Sequence, residues 1–359
     1  MESLAPFIMK PAYRHGGQTP WGGHALRDMF GKDIPDERTG ESLEASALPN
    51  LESVDSNGAP LSALIERHGE ALTGTRAVGV FPLLLKLLDA HERLSVQVHP
   101  DNAYAAEHES KLGKSEAWLI LKAEPGAKLV YGLANNVGVD SLRGELSRML
   151  EPDAAERIEH CFNSVFVQPG EVFYIPAGTV HAIGAGIVLY EIQQSSDVTY
   201  RLWDNLRRDA KGNLRELHID HALNVIKPDA AGESFGGSLC ESVAGVTIPD
   251  GANTRTIYIA DEYFALERLT VRGAMTQSGD EGSFAMLTAL GAGRLVGTGF
   301  NIELKSGDTA LVPAASPSFE IIGELDVIKS YVPDRLAMRS ELGARAAGVA
   351  GLQRGVDLE

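Results

Sequence analysis

Cysteine is nearly absent from this chain: Cys161 and Cys240 are the only two in 359 residues. Two thiols cannot build a disulfide framework, and no C-x-x-C pair exists for a thiolate metal site, so any metal must be held by nitrogen and oxygen ligands. The first ten residues, Met1 to Lys10, lack the basic start and apolar run of a secretory signal. Long hydrophobic runs are missing too. The longest, Val78 to Leu88, has 11 residues and is interrupted by Lys86, too short to span a bilayer. Basic residues are in the minority, 32 against 49 acidic, giving a formal net charge of −17. That balance opposes non-specific attraction to nucleic acid or anionic membrane. The expectation is a soluble, cytoplasmic protein with neither partner.

What the chain does have is glycine, proline and short apolar segments. The 38 glycines and 17 prolines punctuate β-branched runs at Phe81–Leu88, Leu94–His99, Ala117–Leu121, Val165–Val167, Val172–Ile175 and Ile187–Ile192. Short strands separated by turn signals predict a mainly β fold, a sandwich or closed barrel. Helical spacing is confined to Leu61–His68, Asn102–Leu112, Asp140–His160, Leu214–Ile226 and the tail after Asp334.

An internal repeat organises these segments. Glu92 to His99 resembles Glu267 to Ala274, Ser115–Trp118 aligns with Ser283–Met286, and Gly170–Ala177 aligns with Gly307–Ala314. The order is kept while the second copy is shorter, which marks about 138–162 as a helical insertion in the first. Two related β-barrels follow from this, with boundaries at 1–235 and 236–333 and a tail, 334–359, that reads as helical.

The repeat also isolates candidate ligands. Alternation places Ser95, Gln97 and His99 on one strand face, opposite Leu94, Val96 and Val98. The positions matching Gln97, His99, Glu116 and His181 in the second copy are Arg272, Ala274, Phe284 and Ser318, none of them a usual ligand. Two imidazoles, a carboxylate and an amide oxygen form a borderline-hard set that suits zinc and leaves room for water or substrate. Between them, Pro169–Gly170 fits the centre of a type II turn, and Ala177–Gly178 breaks the chain just before His181.

Residues 81–204 resemble the type I mannose-6-phosphate isomerases, a zinc-dependent branch of the cupin superfamily. The blocks that carry the resemblance are Phe81–Lys86, Leu94–Asn102, Gly113–Trp118, Val167–Ala182 and Glu191–Asp204, with Trp21–Gly23 and Gly40–Ser42 upstream. Leu43 departs from the pattern, since many relatives carry Trp there. The resemblance implies two cupin-type jelly-roll barrels, the first catalytic and the second without metal, as in the short bacterial form. It implies one zinc ion on Gln97, His99, Glu116 and His181. It also matches the family's active-site residues to Ser95, Lys86, Lys114, Glu191 and Arg201.

Each of these residues has a structural alternative. Lys86 could snorkel from a strand end, and Lys114 could be a solvated loop lysine. Arg201, among Tyr200, Leu202 and Trp203, could pair with Asp197 or Asp204. Glu191 could cap a strand, and Ser95 could fill space. Their functional roles would be proton transfer for Lys86, Lys114 and Glu191, oxyanion or phosphate stabilisation for Arg201 and Lys114, and phosphate binding for Ser95. His91, His108, His160 and His218 lie in helical or loop contexts and receive no role. The implied reaction interconverts mannose 6-phosphate and fructose 6-phosphate through a cis-enediol. Two rivals keep the barrels: a non-catalytic bicupin that binds sugar phosphates, and an iron-dependent oxygenase, which more often uses histidine-rich ligand sets.

Overall fold

The computed structural model describes residues 4–77, 79–208, 212–227 and 242–352. Val78, Cys240, the expected boundary at 235/236 and the C-terminal end from 353 lie outside them. The architecture is mainly β, and the chain divides into two compact units. One unit comprises Met1–Leu88, Tyr190–Ser195 and Val243–Glu359; the other comprises Asp89–Leu189 and Ser196–Ser242. Among the described residues the strands form open sheets and not the closed barrels expected. The strand runs and turn signals predicted strands correctly, but closure depends on long-range pairing that local patterning does not contain.

In the first unit a nine-stranded sheet runs in the order Phe7–Met9, Thr309–Val312, Ala285–Ala289, Phe319–Tyr331, Ala265–Gln277, Asn253–Ala260, Val246–Asp250, with the hairpin Gly293–Gly297 and Phe300–Leu304 joined to Phe319–Tyr331. Its spine is an antiparallel pair in register from Ala265 opposite Tyr331 to Gln277 opposite Phe319. Alternate residues Leu269, Val271 and Met275 enter one apolar core with Leu287, Leu295 and Val327. A second set of strands in this unit pairs Ala12–His15 with Thr39–Ala45, and that strand with Leu83–Ala90. Every residue of Thr39–Ala45 and Leu83–Ala90 is buried, so their polar side chains must find partners inside.

Gly40 shows why this region needs its short motifs. A Cβ at Gly40 would lie 2.5 Å from Trp21 Cζ3 and 2.7 Å from Thr19 Cβ. The Trp21–Gly23 and Gly40–Ser42 blocks are thus two sides of one close packing that seats Glu41 on its strand.

In the second unit a five-stranded sheet runs Tyr200–Trp203, Val96–Val98, His181–Ile183, Lys128–Leu133, Phe162–Phe166. Val96, Val98, Ala182, Tyr200 and Leu202 face an apolar core shared with Leu142, Leu146, Ile158 and Leu223 from the helices Val139–Ser147, Ala154–Glu159 and Ile219–Val225. Burial of each large aliphatic there contributes about 1.5–3 kcal/mol. The two-residue period then sends Gln97, His181 and Arg201 to the opposite face. The Asp140–His160 stretch is two helices and not one, because Pro152 cannot continue the backbone bonding and Asp153 turns left-handed at φ +62°. Leu214–Ile226 is helical only from Ile219; the residues before it run as a strap.

The repeat holds in one hairpin and slips in another. Gly170 and Gly307 both take positive φ, +93° and +87°, ahead of four-residue strands, as the type II turn requires. The pairing of the matched positions differs, however. Gln97 opposes His181, whereas Arg272 opposes Glu324 and not Ser318. Strand register is set by long-range pairing, and short sequence similarity did not capture it.

Candidate metal centre and active site

Three strands of the second unit bring the proposed ligands together. Gln97 lies in Val96–Val98, His181 begins the neighbouring strand directly opposite it, and Glu116 begins the strand Glu116–Ala123, which pairs with Val172–Ile175. His99 follows the first of these by one residue. His99, Glu116 and His181 are each buried to about the last percent, with ligand atoms within 4.8 Å of one another.

The imidazole tautomers follow from their partners. His99 Nδ1 lies 2.8 Å from the Val198 carbonyl, and His181 Nδ1 lies 2.9 Å from the Thr179 carbonyl. A carbonyl only accepts, so in each neutral ring Nδ1 carries the proton and Nε2 presents a lone pair to the cluster. This is the outer hydrogen bonding that orients metal-binding histidines. His181 Nε2 is 3.3 Å from Glu116 Oε1, and His99 Nε2 is 3.5 Å from Glu116 Oε2. The Gln97 amide sits 3.3 Å from His181 Nε2, and a half-turn of that amide directs its oxygen to the same point.

Those separations test the fit of a metal. Donors on a four-coordinate ion with bonds of about 2.0–2.1 Å stand roughly 3.3–3.4 Å apart. Two of the contacts in this chain, His181 to Glu116 Oε1 at 3.3 Å and His99 to Glu116 Oε2 at 3.5 Å, lie near that spacing, all three ligand groups fall within 4.8 Å of one another, and the donor set is one that zinc accepts.

Lys114 joins the cluster. It is 7% exposed, with Nζ 2.7 Å from Glu116 Oε2 and 3.0 Å from His99 Nε2, so it is not a solvated loop lysine. Ser95 and Arg201 form a second pair, with Arg201 Nε donating to Ser95 Oγ at 3.2 Å. Arg201 opposes Gln97 in the adjacent strand, which sets both side chains on one face. Neither expected ion-pair partner holds it. Asp197 goes to Lys111, and Asp204 goes to Arg207 and Arg215. Burial, with Arg215 and Arg207 nearby, holds the guanidinium below its ordinary value, against the pull of Asp204.

Lys86 and Glu191 meet in the first unit. Lys86 is in mid-strand, 6% exposed, with Nζ 3.0 Å from Glu191 and 3.8 Å from Glu41. It does not snorkel, and Glu191 lies within the strand Ile187–Gln194 and not at its end. Burial alone would push the Lys86 ammonium down, but Glu191 and Glu41 more than offset it and hold it above the ordinary lysine value. Glu41, which also pairs with Arg14 at 3.2 Å, had no role in the sequence reading. Its only signal was its place in the Gly40–Ser42 block.

Comparison with known proteins agrees with this geometry. The family described as phosphomannose isomerase type I, catalytic domain, matches residues 12–118, and the mannose-6-phosphate isomerase cupin domain matches 254–332. A mannose-6-phosphate isomerase of Streptococcus mutans is 38% identical over 315 residues, covering 87% of this chain and 94% of the relative. The chain belongs to the type I phosphomannose isomerase family. Mannose-6-phosphate isomerase ManA of Bacillus subtilis is 37% identical, over 91% of this chain and 99% of the relative. A crystal structure of the mannose 6-phosphate isomerase from Bacillus subtilis superposes with a TM-score of 0.79 at 32% identity, covering 91% and 99% of the two chains. In phosphomannose isomerase terms, then, the chain is an enzyme with a cupin domain and a candidate metal site. Among the described residues no helix is long and apolar enough to cross a membrane.

Proposed function

We propose that this chain interconverts mannose 6-phosphate and fructose 6-phosphate by proton transfer between C1 and C2 through a cis-enediol, with one zinc ion held by Gln97, His99, Glu116 and His181. The observation that supports the reading is the convergence of His99, Glu116 and His181 within 4.8 Å of one another, with the Gln97 amide 3.3 Å from His181. When bound, zinc supplies Lewis-acid polarisation of the sugar's C1 and C2 oxygens. The protein supplies the rest. Lys114 and Arg201 present cationic groups to an enediolate oxygen or a phosphate, and Ser95 presents a hydroxyl to the phosphate. Glu191, paired with Lys86, offers a carboxylate that accepts a proton and an ammonium that donates one. Roles in proton transfer are therefore assigned to Lys86, Lys114 and Glu191, with Arg201 stabilising the oxyanion.

In this reading residues 1–235 are the catalytic part, 236–333 a second cupin-like jelly roll without ligands, and 334–359 a tail with the helix Arg335–Leu342. Among the described residues His99, Glu116 and His181 form the one such ligand group. The enzyme works in the cytoplasm on a soluble sugar phosphate, with neither nucleic acid nor membrane as partner. The excess acidic charge then lies away from the site, where Lys114 and Arg201 favour an anion.

A coupled assay on mannose 6-phosphate, with bound metal quantified, tests this. Wild type is expected to turn over in a chelator-sensitive way, and His99→Ala to lose both metal and activity. Full activity in a metal-free variant refutes the mechanism, and binding of substrate without chelator-sensitive turnover would favour a sugar-phosphate sensor.

A further inference from the structure

His218 closes the outer edge of the strand that carries Arg201. Tyr200–Trp203 is the last strand of its five-stranded sheet; its inner neighbour is Val96–Val98. On the outer side both backbone groups of Arg201 go to one residue. The His218 N–H donates to the Arg201 carbonyl at 2.8 Å, and the Arg201 N–H donates to His218 Nδ1 at 3.2 Å. The same strap grips the guanidinium, since Arg201 Nη1 donates to the Glu216 carbonyl at 2.8 Å.

We propose that His218 is a positioning residue for Arg201, and that its Nδ1 must be unprotonated for the clamp to close. The inference rests on the reading of Arg201 as part of the active site. A backbone N–H offers no lone pair, so His218 Nδ1 must be the acceptor and Nε2 must carry the ring proton. A second proton, taken from solvent at Nδ1, consumes that lone pair. Two N–H groups then face each other, and the Arg201 amide loses its partner.

The groups facing His218 are the Arg201 guanidinium, the carboxylates of Glu216 and Glu109 and the His221 imidazole, with the Tyr200 ring centred 6.2 Å away. Burial, then Arg201, holds the imidazole below its ordinary value of 6.5, while Glu216 and Glu109 pull the other way. The clamp is therefore closed at neutral pH and opens on the acid side.

The test compares kcat/KM against pH for the metal-loaded wild type, His218→Asn, His218→Ala and Arg201→Ala. Asparagine offers Oδ1 as an acceptor near the Nδ1 position and does not titrate. Acid loss from the metal ligands is common to all variants, so the ratio of wild type to His218→Asn isolates His218. That ratio is expected to be flat above pH 7 and to fall as the pH drops below the ordinary imidazole range. His218→Ala is expected to lose about 3- to 10-fold at neutral pH. With arginine labelled in ¹⁵N, the Arg201 amide resonance of the wild type should move with the His218 titration. Parallel wild-type and His218→Asn profiles, or an Arg201 amide that does not follow His218, overturn the proposal. Wild-type turnover by Arg201→Ala would instead refute the catalytic reading of Arg201, while the amide titration still decides whether the clamp exists.

Discussion

Replacing Glu191 by Gln removes one charge from a buried three-group cluster. Lys86 Nζ lies 3.0 Å from Glu191 and 3.8 Å from Glu41, with all three side chains at most 10% exposed. At an effective dielectric of 20 these separations correspond to attractions of about 5.5 and about 4.4 kcal/mol. Glutamine keeps the volume and still accepts a hydrogen bond from Lys86, recovering about 1 kcal/mol, and Glu41 remains. The expected net loss of folding stability is about 3–5 kcal/mol, a large share of the 5–15 kcal/mol typical of a domain. Urea unfolding at unchanged m reads it directly.

The pH dependence carries a second, sharper signature. In the native chain the Lys86 pKa lies above its ordinary 10.5, so the stabilisation is complete below that pH and is lost as pH rises through the higher folded value. In Glu191→Gln the desolvation that opposes the charge has lost its main counterweight, and the folded pKa moves down. Once it lies below 10.5, folding releases a proton and stability rises with pH across that window. The difference between variant and wild-type stability should therefore shrink as pH rises toward 10.5 and above. A loss below about 1 kcal/mol, or a difference independent of pH there, would show that Glu191 does not hold the Lys86 charge.

Two further outcomes follow from the packing. Gly40→Ala drives a methyl against Trp21 and Thr19 and should cost about 1–3 kcal/mol in urea unfolding, whereas an exposed glycine such as Gly138, with nothing near its missing Cβ, should tolerate alanine. Asp101 caps the helix Asn102–Glu109 by accepting from Tyr104 N at 3.0 Å and pairs with Lys227 at 2.8 Å, which together hold its carboxyl below the ordinary range. Asp101→Ala should cost about 0.5–2 kcal/mol at neutral pH; because the folded pKa is depressed, the gap to wild type should close as pH falls below about 4, and a gap that persists in acid would refute the assignment.

The grouping of His99, Glu116 and His181 was legible in part because it rests on residue type, the internal repeat and local alternation. Gln97 and His99 share a strand face in sequence alone, and Gly178 announces the break before His181. Lys114, two residues before Glu116, came from the resemblance alone. The sequence reading did not find Glu41, because nothing near residue 41 indicates that its strand will lie beside the one bearing Lys86. Nor did it find His218, whose clamp on Arg201 forms across a separation of 17 positions in the chain.

By itself the sequence determined which donor types the chain can offer and how its segments alternate. Few thiols, an acidic balance and short β-branched runs limit the ligands to nitrogen and oxygen and the fold to mainly β, since both depend on composition and neighbours a few residues apart. Only the tertiary structure decided the partners. Asp204, three residues from Arg201 in sequence, is taken by Arg207 and Arg215, and Arg201 turns to Ser95 and Glu216 instead. Register, sheet closure and the company a buried charge keeps are settled by pairing between distant strands, where a shift of one residue exchanges the two faces.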